Sequence, residues 1–234
     1  MALPKLNAVT YKLNLPSSGE EVEYRPFLMS EQKNLMLAQE SEDDKQVQNA
    51  IAKCIEDCTF NKVNAWEMPA FDVEYIFLKV RSKSVGETAT LSVLCPDDGK
   101  TRVDVTVEYD KVGVQMSVDH TNEVQLTDDI KMFMRYPTLS SLDGFNEKDE
   151  TESTLKLMQS CVDEIHFGDD VYRRVDMSDK ELSEFFNDMT TDMFGKVQDF
   201  FTTMPKLRHI LDIKNPKTKK KSEYMLEGLA DFFI

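Results

Sequence analysis

The chain has 234 residues, 41% of them hydrophobic, which is enough for one sizeable core or two smaller ones. Its formal charge of −15 excludes generic binding to nucleic acid, which needs a basic face, and disfavours docking on an anionic membrane. No apolar run reaches the ~20 residues of a membrane span, the start MALPKLNAV lacks a signal-peptide apolar core, and the four cysteines read as reduced thiols of a cytosolic setting.

Leu15 to Ser41 carry a turn, a short strand and a helix start. Pro16-Ser17-Ser18-Gly19 is turn chemistry, because proline presets φ and glycine permits a positive φ. Val22, Tyr24 and Phe27 suit an extended segment, and Arg25 before Pro26 is biased away from the helical region. Ser30 is the expected N-cap of a helix over 30–40, with Glu31 in the first turn, where the helix dipole favours an acid. Ser41 is the expected cap of a second helix, with Asp44 three residues on. In that helix Val47, Ala50, Ile51, Cys54, Ile55 and Cys58 form one apolar stripe at helical spacing. Pro69 and Asp72 announce a third helix over 72–82. Its buried face is Val73, Ile76, Phe77 and Val80, widened by Tyr75 and Leu78, and Gly86 ends it.

The period then changes. Ala89, Leu91, Val93 and Cys95 alternate with polar neighbours, as do Val103, Val105 and Val107 after Pro96-Asp97-Asp98-Gly99, and together they predict a β-hairpin. Further strands are expected within 112–118 and 124–134. Residues 141–152, with Gly144 and many acids and amides, read as a linker. A helix is expected over 151–164, and another over 178–204, opened by the capping box Ser178 to Glu181 and divided at Thr190-Thr191 or Gly195. Ile210, Leu211 and Ile213, then Asn215-Pro216-Lys217, then Tyr224 and Leu226, predict a second hairpin. Leu229, Phe232 and Phe233 make an apolar tail that has to pack on its own core or on a partner. The expected fold class is therefore α+β, with helices before and after a central antiparallel hairpin region. The expected division is an N-terminal part over 1–140, the linker 141–152, and a C-terminal helical part over 153–234 with the terminal hairpin.

Catalytic devices are not legible. No phosphate-binding glycine loop, G-x-S-x-G elbow, H-E-x-x-H or calcium-loop pattern occurs, and His120, His166 and His209 lie far apart. Cys54 and Cys58 sit one helical turn apart, but on the apolar stripe, where cysteine behaves as a small hydrophobe rather than a metal ligand. Cys95-Pro96 resembles half of a zinc knuckle, yet Asp97, Asp98 and Gly99 supply no second Cys or His. The acids are scattered and read as a solvated surface. No catalytic residue, cofactor or metal is assigned. Arg25 is either exposed or paired with a carboxylate, from Glu31 or from the third helix. Lys206 to Lys221 hold seven Lys/Arg against one Asp, which is either a solvated loop or a basic patch able to meet an acidic protein.

Three segments carry a resemblance: LPSSGEEVEYRPFLMSEQKNLMLAQES at 15–41, DVEYIFLKVRSKSVGE at 72–87 and LEGLADFFI at 226–234. In their order and spacing they resemble the baseplate hub proteins of T-even-type contractile-tail bacteriophages. The resemblance implies a hub component, or a hub assembly factor acting as a chaperone. It implies work through protein–protein binding without catalysis, on other tail and baseplate hub proteins. The place implied is the host cytoplasm during assembly or the tail baseplate of the virion. Residues proposed for such contacts are Arg25, Phe27, Lys217, Lys219, Lys220, Leu229, Phe232 and Phe233, the apolar ones supplying affinity and the charged ones orientation. The alternatives are a hydrolase using dispersed carboxylates and a small metal-binding regulator.

Overall fold

The computed structural model describes residues 8–41, 43–142 and 149–232. In chain order the elements begin with β1 (Tyr11–Asn14), β2 (Glu21–Tyr24), α1 (Met29–Glu40), α2 (Asp44–Cys58), α3 (Ala70–Val85), β3 (Thr88–Leu94), β4 (Arg102–Glu108) and β5 (Gly113–Gln115). They continue with β6 (Glu123–Gln125), β7 (Ile130–Met134), α4 (Leu139–Leu142), α5 (Glu150–Ser160), β8 (Val162–Phe167) and β9 (Asp170–Arg173). The last are α6 (Asp179–Asn187), α7 (Thr191–Thr203), β10 (Lys206–Lys214) and β11 (Lys221–Glu227), followed by a 3-10 turn at Leu229–Phe232. The class is α+β with small antiparallel sheets. The chain forms two compact units, one from the segments before 116 and after 205, the other from 116–205. The expected linker at 141–152 lies within the second of these, and its residues 143–148 are outside the described ones.

Both helix starts near the N-terminus are displaced from the expected serines by two residues, and in each a carboxylate accepts backbone N–H groups at the new start. Leu28, not Ser30, is the N-cap of α1, and its N–H donates to Glu31 Oε2 at 2.6 Å. Asp43, not Ser41, caps α2, accepting from the N–H groups of Lys45 at 3.0 Å and Gln46 at 3.3 Å. Ser41 instead closes α1, its hydroxyl donating to Ala38 O at 2.6 Å. Cys54, Ile55 and Cys58 of the α2 stripe are buried, while Val47, Ala50 and Ile51 are half-buried. Helix α3 buries Phe71, Val73, Ile76, Phe77, Leu78 and Val80, so apolar side chains surround it, as befits a central helix.

The first unit closes around two hairpins. β3 and β4 pair with Val93 opposite Val103 and Leu91 opposite Val105. β10 pairs with β11 on one side and with β5 on the other, Leu207 standing opposite Val114. One core joins Leu78 of α3, Leu91, Val93 and Val107 of the first hairpin, and Leu207, Leu211, Ile213 and Leu226 of the second.

Three turns share one design: Leu15-Pro16-Ser17-Ser18-Gly19, Cys95-Pro96-Asp97-Asp98-Gly99 and Asn215-Pro216-Lys217-Thr218-Lys219. In each, the fifth N–H returns to the first carbonyl, at 2.8, 2.9 and 3.0 Å. The fifth residue is left-handed, with φ of 73°, 63° and 65°. Glycine takes that conformation freely; a lysine pays about 1–2 kcal/mol for it. Part of that is offset by glycine's larger loss of chain entropy. Lys219→Gly is therefore expected to raise stability by about 0.5–1 kcal/mol, read from the denaturant midpoint at unchanged slope.

The second unit is a four-stranded antiparallel sheet, β6-β7-β8-β9, with α6 and α7 contributing Leu182, Phe186, Val197 and Phe200 to a core shared with Met132, Val162 and Ile165. The helix expected over 151–164 ends at Ser160. Val162 to Phe167 are strand β8, paired with β7 and with β9, which sequence reading missed. The β-branched Val162 and Ile165 suit a pleated strand, and pairing on both sides satisfies its backbone better than a last helical turn would. The Ser178–Glu181 capping box forms, with Ser178 N–H to Glu181 Oε2 at 2.9 Å and Glu181 N–H to Ser178 Oγ at 3.2 Å. The α6–α7 break falls at Thr190, whose hydroxyl caps α7, and Gly195 lies inside α7.

Candidate docking surfaces

Two carboxylates at the start of α3 hold the N-terminal turn and the C-terminal tail. Ser17 donates to the buried Asp72 twice, from its N–H at 3.1 Å and from its hydroxyl. Leu229 N–H donates to Glu74 Oε1 at 3.2 Å. Further along α3, Ser84 Oγ accepts from Phe27 N–H at 2.9 Å. The tail is also tied by Tyr109, whose hydroxyl donates to Phe232 O at 3.1 Å. Burial pushes Asp72 above the ordinary carboxyl range against the Ser17 bonds, and pushes Glu74 up to about 7. The segments around 17, 72–84 and 229–232 thus form one internal scaffold.

Arg25 joins β2, α1 and α2. Its Nη2 meets Glu31 Oε1 at 3.0 Å, and its Nη1 donates to Pro26 O at 3.0 Å and faces Cys58 Sγ at 3.8 Å. The two charged side chains are only 15% and 11% exposed. Burial alone would raise the Glu31 pKa, but the Arg25 guanidinium and the Leu28 N–H outweigh it and leave Glu31 below its ordinary value. Of the pairings left open by the sequence, Glu31 is the one made. Arg25→Ala strands that carboxylate and is expected to cost about 2–3 kcal/mol, measured by urea unfolding. Cys54 and Cys58 are buried with their sulfurs 4.0 Å apart, and the contact with Cys58, then burial, pushes the Cys54 thiol up. Among the described residues no three His, Cys, Asp or Glu side chains cluster as metal ligands.

The remaining proposed contact residues divide by exposure. Phe232 is fully buried in the core of the first unit, so its side chain faces inward rather than toward a partner. Phe27 and Leu229 are half-buried, and Phe233 lies outside the described residues. Lys217, Lys219 and Lys220 are exposed on the β10–β11 turn. The basic stretch is not a loose loop: Lys206 and Arg208 are in β10 and pair with Glu227 at 3.1 and 2.7 Å. The lysine turn itself is anchored. Asn215 Nδ2 donates to Asp97 at 2.8 Å and Asp98 at 3.1 Å, and Thr218 Oγ1 donates to Asp97 at 2.5 Å.

Two further surfaces went unnoticed in the sequence. Helix α1 buries only Ala38 and exposes Met29, Met36 and Leu37, at 75%, 55% and 53%. Their spacing of seven and eight residues was the available signal. In the second unit an apolar groove of about 420 Å³ opens between the sheet, through Ile130, Ile165, Phe167 and Tyr172, and α6, through Leu182 and Phe185. It depends on β8 and β9, which a helical reading of 151–164 conceals.

Comparison with known proteins adds the following. The family model described as "T4 bacteriophage base plate protein" matches residues 8–234. The chain is similar to the baseplate hub assembly protein gp26 of Enterobacteria phage T4, with 22% identity over 227 residues, 95% of this chain and 97% of that protein. No solved structure matches.

Proposed function

Because the chain belongs to the T4 bacteriophage base plate protein family, we propose that it is a hub assembly factor acting by protein–protein binding rather than catalysis. The observation that carries this is the alignment with the hub assembly protein gp26, which runs through nearly the whole of both chains. The surfaces support the same reading: exposed apolar side chains on α1 and at the sheet corner of the second unit, and a lysine turn held in place by Asn215 and Thr218. Apolar anchors give affinity, and fixed charges orient the encounter. The binding partners are other tail and baseplate hub proteins. As an assembly factor it works in the host cytoplasm and leaves before the particle is complete.

Quantitative mass spectrometry of purified virions tests this. A chain present at less than one copy per particle, yet required for hubs to form, is the expected result. Stoichiometric retention would make it a structural hub subunit instead. Normal hub assembly without it would remove the reading.

A further inference from the structure

We propose that the groove of the second unit binds a partner segment carrying large apolar side chains flanked by lysine or arginine; this rests on the reading of the chain as a binder of other tail proteins. The groove is the uncovered end of that unit's core. Along the sheet, Val124, Met132, Ile165 and Tyr172 stand opposite one another in successive strands and share one face. Val124, Met132 and Ile165 are buried in the core that α6 and α7 complete. The row continues to Tyr172, 48% exposed, and the neighbouring Phe167 is 52% exposed. Leu182 and Phe185 form the opposite wall, and Met177 lines the same space. The volume of about 420 Å³ falls within the ~300–1,000 Å³ of sites that bury a ligand. The sheet also stops here, with every residue of β9 exposed, and Val175 just beyond it is 89% exposed. Contiguous apolar surface of this kind on a soluble chain marks an interaction site.

Charge selects the occupant. Residues 116–205 contain 20 Asp/Glu against eight Lys/Arg, so this unit carries −12 of the chain's −15 and the other only −3. Asp176 and Glu181 line the groove itself. The two arginines nearby are already offset: Arg173 by Glu164 at 3.5 Å, and Arg174 by Asp179 and the Met177 carbonyl. An acidic amphipathic segment would meet like charge at the lip, and a second copy of this unit would bring another −12. A basic segment gains steering toward the groove and a paired rim once its apolar side chains are seated.

The test uses the full chain co-expressed with the baseplate hub proteins of the same phage, with complexes identified by mass. The variants are the double substitution Phe167→Ser with Tyr172→Ser, at half-exposed positions, and Asp176→Lys. Melting temperature and circular dichroism establish that each variant is folded. The captured hub protein is then scanned as overlapping peptides against wild type and variants. The expected result is a bound peptide that is apolar and basic, weakened by salt, at least tenfold by the double variant and severalfold by Asp176→Lys. If wild type captures no hub protein, the functional reading and this inference fall together. If the folded double variant binds as wild type does, only the inference falls. It falls equally if the bound peptide is acidic, or if the groove proves to hold a second copy of this chain.

Discussion

Phe232→Ala is expected to lower stability by about 3–5 kcal/mol, the range for removing a large buried aromatic side chain. Phe232 is fully buried, in the same core as Leu78, Leu207 and Leu226. For a chain of this size the loss corresponds to a fall of roughly 6–20 °C in the melting of the first unit. Deleting Leu229 to Ile234 removes Phe232 with the Leu229 amide that Glu74 accepts, and should cost at least as much. A truncated protein that melts at the wild-type temperature would show the tail to be a passive end. A truncated protein that melts normally and loses a hub partner would mean that the tail docks outward.

The second large effect is a pH dependence centred on Glu74. Burial raises its carboxyl to about 7, and nearby Glu227 adds to the rise against the opposing Leu229 N–H bond. The ordinary value is 4.5. The folded state therefore holds a proton that the unfolded chain releases near 4.5. Stability from this group is complete below that pH, falls as pH rises toward about 7, and stays lost above it. At about 1.4 kcal/mol per pH unit between 4.5 and about 7, the difference is of order 3–4 kcal/mol. The neutral carboxyl still accepts the Leu229 N–H through its carbonyl oxygen, and so does a glutamine. Glu74→Gln should raise the denaturation free energy at pH 8 by about that amount and leave it nearly unchanged at pH 4.5. Equal effects at both pH values would refute the assignment. Gly228 bears on the same contact. Its φ is 72°, so Gly228→Ala strains the backbone, while the added Cβ would only reach ordinary contact with Glu74 Oε1 at 3.4 Å.

Local chemistry made much of the fold legible in the sequence. The stripe ending at Cys58, the apolar run of α3, the hairpin around Asp97-Asp98-Gly99 and the capping box at Ser178 each depend on side chains within a few residues of one another. Propensity and periodicity are written at that range. The same locality explains the misplaced caps. Ser30 and Ser41 are good caps by type, but the helices start at Leu28, whose N–H Glu31 accepts, and at Asp43, which accepts from Lys45. Asn215-Pro216-Lys217 was readable as a turn. That its tip is fastened to Asp97 and Asp98, more than a hundred residues away, was not.

By itself, then, the sequence determined the α+β class, the central place of α3, the two long hairpins, the core character of Cys54 and Cys58, and the acidic composition of the chain. Only the tertiary structure decided how the chain is divided and which residues are available to a partner. β10 pairs with β5 across some ninety intervening residues, so segments from before 116 and after 205 belong to one unit. Whether Val162 to Phe167 coil or extend depends on two neighbouring strands waiting to pair with them, and the groove exists only once they do. Phe232 is apolar in either reading; its backbone carbonyl accepts from Tyr109 and its side chain is buried in the core that holds Leu78, Leu207 and Leu226. These are outcomes of long-range packing and hydrogen bonding, for which a residue's neighbours in sequence carry no signal.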